Sequence, residues 1–320
     1  MLSLSAMFHS EVVENIVRLV EELIQHEQAA EDRTACFIIA VISVNSKQEG
    51  LQKQALQILE KILRACPREI ESVDDNFFAG LVNLMASKDH TIYSPALTIV
   101  SQCFSLDEPR LIDTALAAGV LDHYHSLLCA SDTALITNAL WGLSNITAST
   151  QAHISTFFSH DSLLNQVLTL MSHPHERIRG EALWVICNAV NSAETNHLKS
   201  VFEEKRGGLV EPMTDALARH QDSDVTLATL HALIVLLNLD LQFGQGLGEC
   251  DSVCFTIEAG GGFGKIEAVV DHENRDVSLK ASEVLQRCHE QSAASSRGLK
   301  EGAAEGARDP SQIGEGYFLI

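Results

Sequence analysis

Two stretches decide the fold: Ala139-Leu140-Trp141-Gly142-Leu143-Ser144-Asn145-Ile146-Thr147-Ala148 and Glu181-Ala182-Leu183-Trp184-Val185-Ile186-Cys187-Asn188-Ala189. They hold the chain's 2 tryptophans, 43 residues apart, each followed by Asn at the fourth position. Residues four apart lie one above the other on a helix, so each stretch presents a Trp–Asn pair on one face. A period of roughly 40 to 47 residues is the mark of helical solenoids.

Working outward, the units stack. Gly119–Leu128 precedes the Trp141 helix, Leu163–Met171 and the turn Ser172–Glu176 precede the Trp184 helix, and Gly207–Met213 precedes a helix over Val225–Leu239. Upstream, Phe78–Met85 precedes Ser94–Gln102, where Thr98 stands 43 residues before Trp141. A weaker unit ends in Lys53–Lys61. The 3.6-residue periodicity predicts helices over Glu11–Gln25, Ala35–Val44, Gly50–Arg64, Asn76–Met85, Ser94–Phe104, Leu121–Leu128, Ala134–Ile146, Leu163–Ser172, Ile178–Val190, Leu209–Leu217, Val225–Leu239, Gly264–Val270 and Val277–Cys288. Alternating β-branched runs are almost absent, and each unit has an apolar face it can bury only by stacking.

The 43 acids against 22 Lys+Arg leave a net charge of −21. That balance disfavours nucleic acid, whose binding leans on Lys and Arg, and favours basic partners. The 8 cysteines form no C-x-x-C pair, and Cys250 with Cys254 lacks the ligands that would complete a zinc site. They read as reduced thiols of a cytosolic or nuclear chain. Residues 1–7 lack the basic region and apolar core of a signal peptide, and no run of 18 uninterrupted apolar residues predicts a membrane span. His123 and His125 are two apart and cannot chelate from one helix face, and His173 and His175 read as turn residues. Gly260–Gly264 follows no strand and fails as a phosphate loop, so it reads as an inter-helix turn. No nucleophile motif is present, and neither catalysis, a metal nor a cofactor is expected.

On the Trp184 helix, Leu183, Ile186 and Val190 form an apolar stripe, while Glu181, Trp184 and Asn188 lie on another. A Glu beside an Asn fits a surface better than a core. Trp can cover a cation's stem, Asn can pair with an extended backbone, and Glu can meet an ammonium or guanidinium. The Trp141 helix carries Asn138, Trp141 and Asn145 in equivalent places, with Ser144 beside them. The competing reading puts both Trps in the core and both Asns bridging within the fold.

With the units aligned, the chain resembles importin alpha, the armadillo-repeat nuclear import adaptor. The resemblance rests on Pro95-Ala96-Leu97 opening a helix, Ala118–Leu121 with Ser126–Leu128, the Trp141–Ala148 block, Glu181–Trp184 with Asn188, and Ile257–Gly261 with Lys265–Glu267 and His272–Asn274. It implies an all-α, right-handed superhelical solenoid of roughly seven armadillo repeats. Residues 1–77 would be divergent armadillo-like helices, 78–290 would correspond to repeats six to ten, and 291–320 would be a disordered tail. It also implies a nuclear import adaptor, shuttling between cytoplasm and nucleus, that holds Lys/Arg-rich nuclear localisation signals along a groove resembling the family's minor site. The peptide-binding residues would be Gln102, Asn138, Trp141, Ser144, Asn145, Glu181, Trp184 and Asn188.

Departures qualify it. Gln102 stands where the family has Asn, and the register puts His231 and Val235 at the Trp-type and Asn-type places of the next helix, Asn238 fitting only with a slip. Residues 1–32 hold one Lys or Arg, Arg18, so the basic arm that binds importin beta is not visible. An export receptor could still engage the C-terminal repeats. The alternative is an armadillo-repeat interaction scaffold that no longer couples to importin beta.

Overall fold

The computed structural model describes residues 49–106, 108–219, 222–243 and 252–306, with six helical positions between 37 and 44. Side chains are described through residue 291, except 206 and 207. Among these residues every regular element is a helix. The helix expected over Glu11–Gln25 lies outside the described residues. The chain divides into two compact units, Met1–Leu198 and Lys199–Ile320.

After the helical positions between 37 and 44, the first unit continues with α1 (Glu49–Ala65), followed by a short 3-10 turn, Pro67–Ser72. Then come α2 (Asp75–Leu84) and α3 (His90–Cys103), α4 (Pro109–Ala117), α5 (Val120–Leu128) and α6 (Thr133–Thr147), and α7 (Gln151–Phe158), α8 (Asp161–Leu170) and α9 (Glu176–Ser192). The pattern is a short helix or turn, a middle helix and a longer third helix, repeated. Third helices stack in the order α1, α3, α6, α9, and α6 packs most extensively on α9. The second unit holds α10 (Thr195–Arg219) from Lys199 on, α11 (Ser223–Phe243), α12 (Val253–Ala259), α13 (Gly262–Glu267) and α14 (Arg275–Gly306), with α11 packed on α14.

The sequence reading missed α4, α7 and α12, which have only 9, 8 and 7 residues. At that length two turns give too few apolar repeats to show a period. Their starts were legible: Pro109 opens α4, and the side chains of Thr150 and Ser252 accept from backbone N–H groups at the starts of α7 and α12.

Pro95 does not open its helix. Asp89 caps α3, accepting from Thr91 N–H at 2.9 Å, and Pro95 lies inside the helix. The helix α14 runs on through Gly306, so residues 291–306, expected within a disordered tail, are helical in backbone. Their Ala, Glu, Lys and Arg favour helix, and the buried segment of Val277, Ala281, Val284 and Cys288 supplies the nucleus they extend. Poverty in large apolar residues argues against a core, not against a helix. Residues 307–320 lie outside the described ones.

By length and composition α11 could cross a membrane. Its Leu230, Leu233, Leu236 and Leu237 are fully buried against the rest of the second unit, which accounts for its apolar character. The Gly260–Gly264 run is a tight turn at Gly260 and Gly261 followed by the first turn of α13: Gly261 has φ of 65°, and a Cβ on Gly262 would meet Ile257 O at 2.8 Å.

Gly142 lets α6 come close to α3 and α5. A Cβ there would lie 2.2 Å from Tyr124 Oη and 2.6 Å from Ser101 Oγ. Those two buried hydroxyls, from α5 and α3, are hydrogen-bonded to each other at 3.0 Å. Gly142→Ala must push this pair apart, and we expect a loss of about 1–3 kcal/mol in chemical denaturation. A neutral result would mean that α6 can shift without cost.

Candidate peptide-binding stripe

The helix α9 separates its faces as its sequence pattern requires. Leu183, Ile186 and Val190 are fully buried, whereas Glu181, Trp184 and Asn188 are half-buried on the other side. On α6, Leu140, Leu143 and Ile146 are buried, Trp141 is 37% exposed, and Asn138 and Asn145 are half-buried. Because α6 packs along α9, the two sets stand on neighbouring helices, with Gln102 on α3 next in the stack. Neither indole is a core side chain, so the competing core reading does not hold for the Trps.

It holds in part for the amides. Asn188 Nδ2 donates to Ser144 O at 3.1 Å, and Gln102 Nε2 donates to Leu63 O at 3.0 Å. Each bond links a third helix to the third helix before it. Asn145 Nδ2 donates to Trp141 O of its own helix at 3.0 Å. Asn138 Nδ2 donates to Thr98 Oγ1 at 3.0 Å, and Thr98 in turn donates its hydroxyl proton to Ser94 O. A backbone carbonyl can only accept, so the amide must turn its nitrogen to it. Each carboxamide is thereby held in one orientation. One N–H is used inside the fold, while the second N–H and the oxygen carry no hydrogen bond among the described residues.

Ser144 departs from expectation. It is 7% exposed, its hydroxyl donates to Trp141 O at 2.8 Å, and its carbonyl receives Asn188. It lies beneath the stripe, with its hydroxyl and its carbonyl both engaged within the fold.

Glu181 has no ion-pair or hydrogen-bond partner of its own among the described residues. Burial raises its pKa above the ordinary 4.5, and the charge of Arg177, one turn earlier, draws it partly back. Arg177 is exposed on the same stripe, a neighbour that the sequence reading passed over although its i−4 spacing was legible. A half-buried carboxylate without a partner can gain from an incoming cation.

In the second unit the hydrogen bonds fix a register that the sequence left open. Gln291 Nε2 donates to Leu237 O at 3.0 Å, as Asn188 does to Ser144 O. Leu237 therefore corresponds to Ser144, which places exposed Asn238 at the Asn-type position and buried Ile234 at the Trp-type position. The assignment to His231 and Val235 is corrected by three residues. The interval from Asn188 to Asn238 is 50 residues, against 43 from Asn145 to Asn188, so the spacing of the first unit does not carry over.

The thiols of Cys103, Cys187, Cys254 and Cys288 are buried, Cys66 is half-buried and Cys129 exposed, all unpaired in disulfides. Among the described residues no group of three or more His, Cys, Asp or Glu could hold a metal ion.

No protein-family model matches the chain. Importin subunit alpha-5 of Arabidopsis thaliana is 27% identical over 148 residues, which are 46% of this chain and 27% of that protein. The match thus spans about a quarter of the relative's length. Among solved structures, computationally designed armadillo repeat proteins for modular peptide recognition align with a TM-score of 0.63 at 19% identity, covering 78% of this chain and 98% of theirs. The designed armadillo repeat protein YIII(Dq.V1)4CPAF, solved in complex with peptide (KR)4, aligns with a TM-score of 0.61 at 19% identity over 78% of this chain and 98% of that one. The fold is an armadillo-repeat, all-α solenoid.

The raised pKa of Glu181 has a definite stability consequence. Because its folded pKa lies above the unfolded value, its ionised form destabilises the fold above the folded pKa, and that cost disappears as pH falls below about 4.5. Glu181→Gln should therefore raise the melting temperature at pH 7 and lose that advantage near pH 4. Destabilisation at pH 7 would mean that the carboxylate has a partner in the folded chain.

Proposed function

We propose that this chain is an armadillo-repeat protein-interaction scaffold whose stripe of Trp141, Asn145, Glu181, Trp184 and Asn188 takes an extended basic segment of a partner protein. The observation that carries the proposal is the combination on α6 and α9: two accessible indoles, two oriented amides and one carboxylate with no hydrogen bond or ion-pair contact among the described residues. The indoles would flank the aliphatic stems of Lys or Arg, each contact contributing about 0.5–2 kcal/mol. The amides would pair with the ligand's backbone, and because they are already held, little side-chain entropy is lost on binding. Glu181 would receive a cationic head group. Asn138 and Gln102 would flank the site with neutral amides, so Glu181 would set where the cation goes.

The 2 tryptophans are the chain's only indoles, so their fluorescence reports on this site directly. Titration with a Lys/Arg-rich peptide should change emission and saturate. Glu181→Gln should weaken binding by about tenfold, in the range of a hydrogen bond to a charged group. Affinity should fall with pH as the free Glu181 carboxylate protonates, since binding favours the ionised form. Absence of binding, or binding untouched by Trp141→Ala combined with Trp184→Ala, would overturn the proposal.

A second reading has a specific observation behind it: the partial similarity to importin subunit alpha-5. On that reading the basic segment is a nuclear localisation signal and the protein shuttles between cytoplasm and nucleus as an adaptor. A pulldown with importin beta and import of a basic cargo in permeabilised cells separate the two. Cargo import dependent on Trp141 and Trp184 favours the adaptor, and peptide binding without import favours the scaffold.

A further inference from the structure

The amide-to-carbonyl bonds between third helices define a common register. If n is the residue whose carbonyl accepts the neighbour's amide, the Asn-type residue is n+1 and the Trp-type residue is n−3. For Ser144 these are Asn145 and Trp141. The same bond from Gln102 to Leu63 O extends the register to α1, where the two positions hold Arg64 and Glu60.

Here the chemistry of the stripe is inverted. Arg64 Nη2 donates to Glu60 Oε1 at 2.8 Å, and the two side chains are 73% and 28% exposed. A guanidinium belonging to the chain itself meets the carboxylate and occupies the place of the ligand-facing amide. A second, independent case stands in the second unit. Arg287 takes the Trp-type position of α14, four residues before Gln291, donating to Asn238 Oδ1 and to Glu283 Oε1, the latter at 2.8 Å through Nη2. In both places the chain supplies an internal arginine where a basic ligand would bring its own.

We infer that Arg64 is a specificity-determining residue that closes the α1 position to ligand cations and confines a basic segment to the Trp141 and Trp184 positions. The inference rests on the reading that those two positions hold a basic segment. Neighbouring helix axes lie about 8–10 Å apart and an extended peptide advances about 3.3 Å per residue. Two positions therefore match about six residues, and a longer basic segment would run over α3 toward α1, where Arg64 repels its next cation and Glu60 is already paired. Thr98 and Gln102 on α3 offer neither charge nor an aromatic face.

The test compares two peptides at about 0.15 M salt, where the Debye length of about 8 Å isolates Arg64 from the Trp positions. One is about six residues long with one Lys/Arg pair. The other is about fourteen residues long, with that pair central and a further Lys/Arg pair on each side, so that either chain direction is covered. The folded protein should bind both with Kd values within about twofold. Arg64→Asn, on an exposed site, should leave the short peptide's Kd unchanged and tighten the long one at least fivefold. Adding Glu60→Gln should abolish that gain. The inference is overturned if the unaltered protein already favours the long peptide fivefold, if Arg64→Asn does not separate the two, or if the gain survives Glu60→Gln. If the short peptide fails to bind the unaltered protein, the underlying reading falls and this inference with it.

Discussion

The structure depends on how one third helix meets the next. Apolar side chains supply the contact: Leu183, Ile186 and Val190 of α9 and Leu140, Leu143 and Ile146 of α6 are all fully buried. Apolar packing alone is tolerant of small slides and rotations. The side-chain amide bonded to the neighbour's backbone carbonyl is directional and far less tolerant. Asn188 to Ser144 O and Gln102 to Leu63 O each fix how one helix sits on the preceding one, and so fix which residues face outward. The Gly142 contact with Tyr124 and Ser101 adds a second constraint, since only a residue without Cβ admits that approach.

From this arrangement follows a division of labour along the exposed stripe. Trp141 and Trp184 sit one turn before the amides of Asn145 and Asn188, so a backbone lying on the amides sends side chains across the indoles. Glu181 lies one further turn along, at the reach of a long cationic side chain. Its unpaired, half-buried carboxylate opposes folding, as its raised pKa indicates. A group that destabilises the free chain while suiting a cation is the familiar trade between stability and binding. The contrast with Glu60 sharpens the point: there the chain pairs its own carboxylate with Arg64.

The sequence made the third helices legible because they are long and carry a strong apolar period. The Trp–Asn pairs and the outward placement of Glu181 could be read from spacings of three and four alone. Three kinds of feature escaped. Short helices such as Gln151–Phe158 carry too few residues to establish a period, and only their caps betray them. The burial of Ser144 could not be read from its place beside Asn145, because a helix turns 100° per residue and one step moves it from groove to core. The register of Asn238 depends on a contact between helices, from Gln291 to Leu237 O, that no local pattern encodes. The charge inversion at Glu60 and Arg64 was hidden for the same reason: its meaning appears only once Gln102 identifies Leu63 as the counterpart of Ser144.

Overall charge and local chemistry act at different ranges. A net charge of −21 creates a field that draws any basic chain toward the surface, and salt screens it within about 8 Å at physiological strength. That field cannot choose between basic segments. The stripe on α6 and α9 has the opposite character: two indoles, neutral amides and one carboxylate, so that on the proposed reading most of its contact would be made through aliphatic stems and backbone. Such contacts depend weakly on salt. A ligand held by the stripe should therefore lose on-rate as salt rises while its off-rate changes little, whereas a ligand held by the field alone should lose on-rate and also dissociate faster. On the proposed reading, Trp141 and Trp184 together with the internal arginine at position 64 would provide the selectivity that an acidic surface by itself lacks.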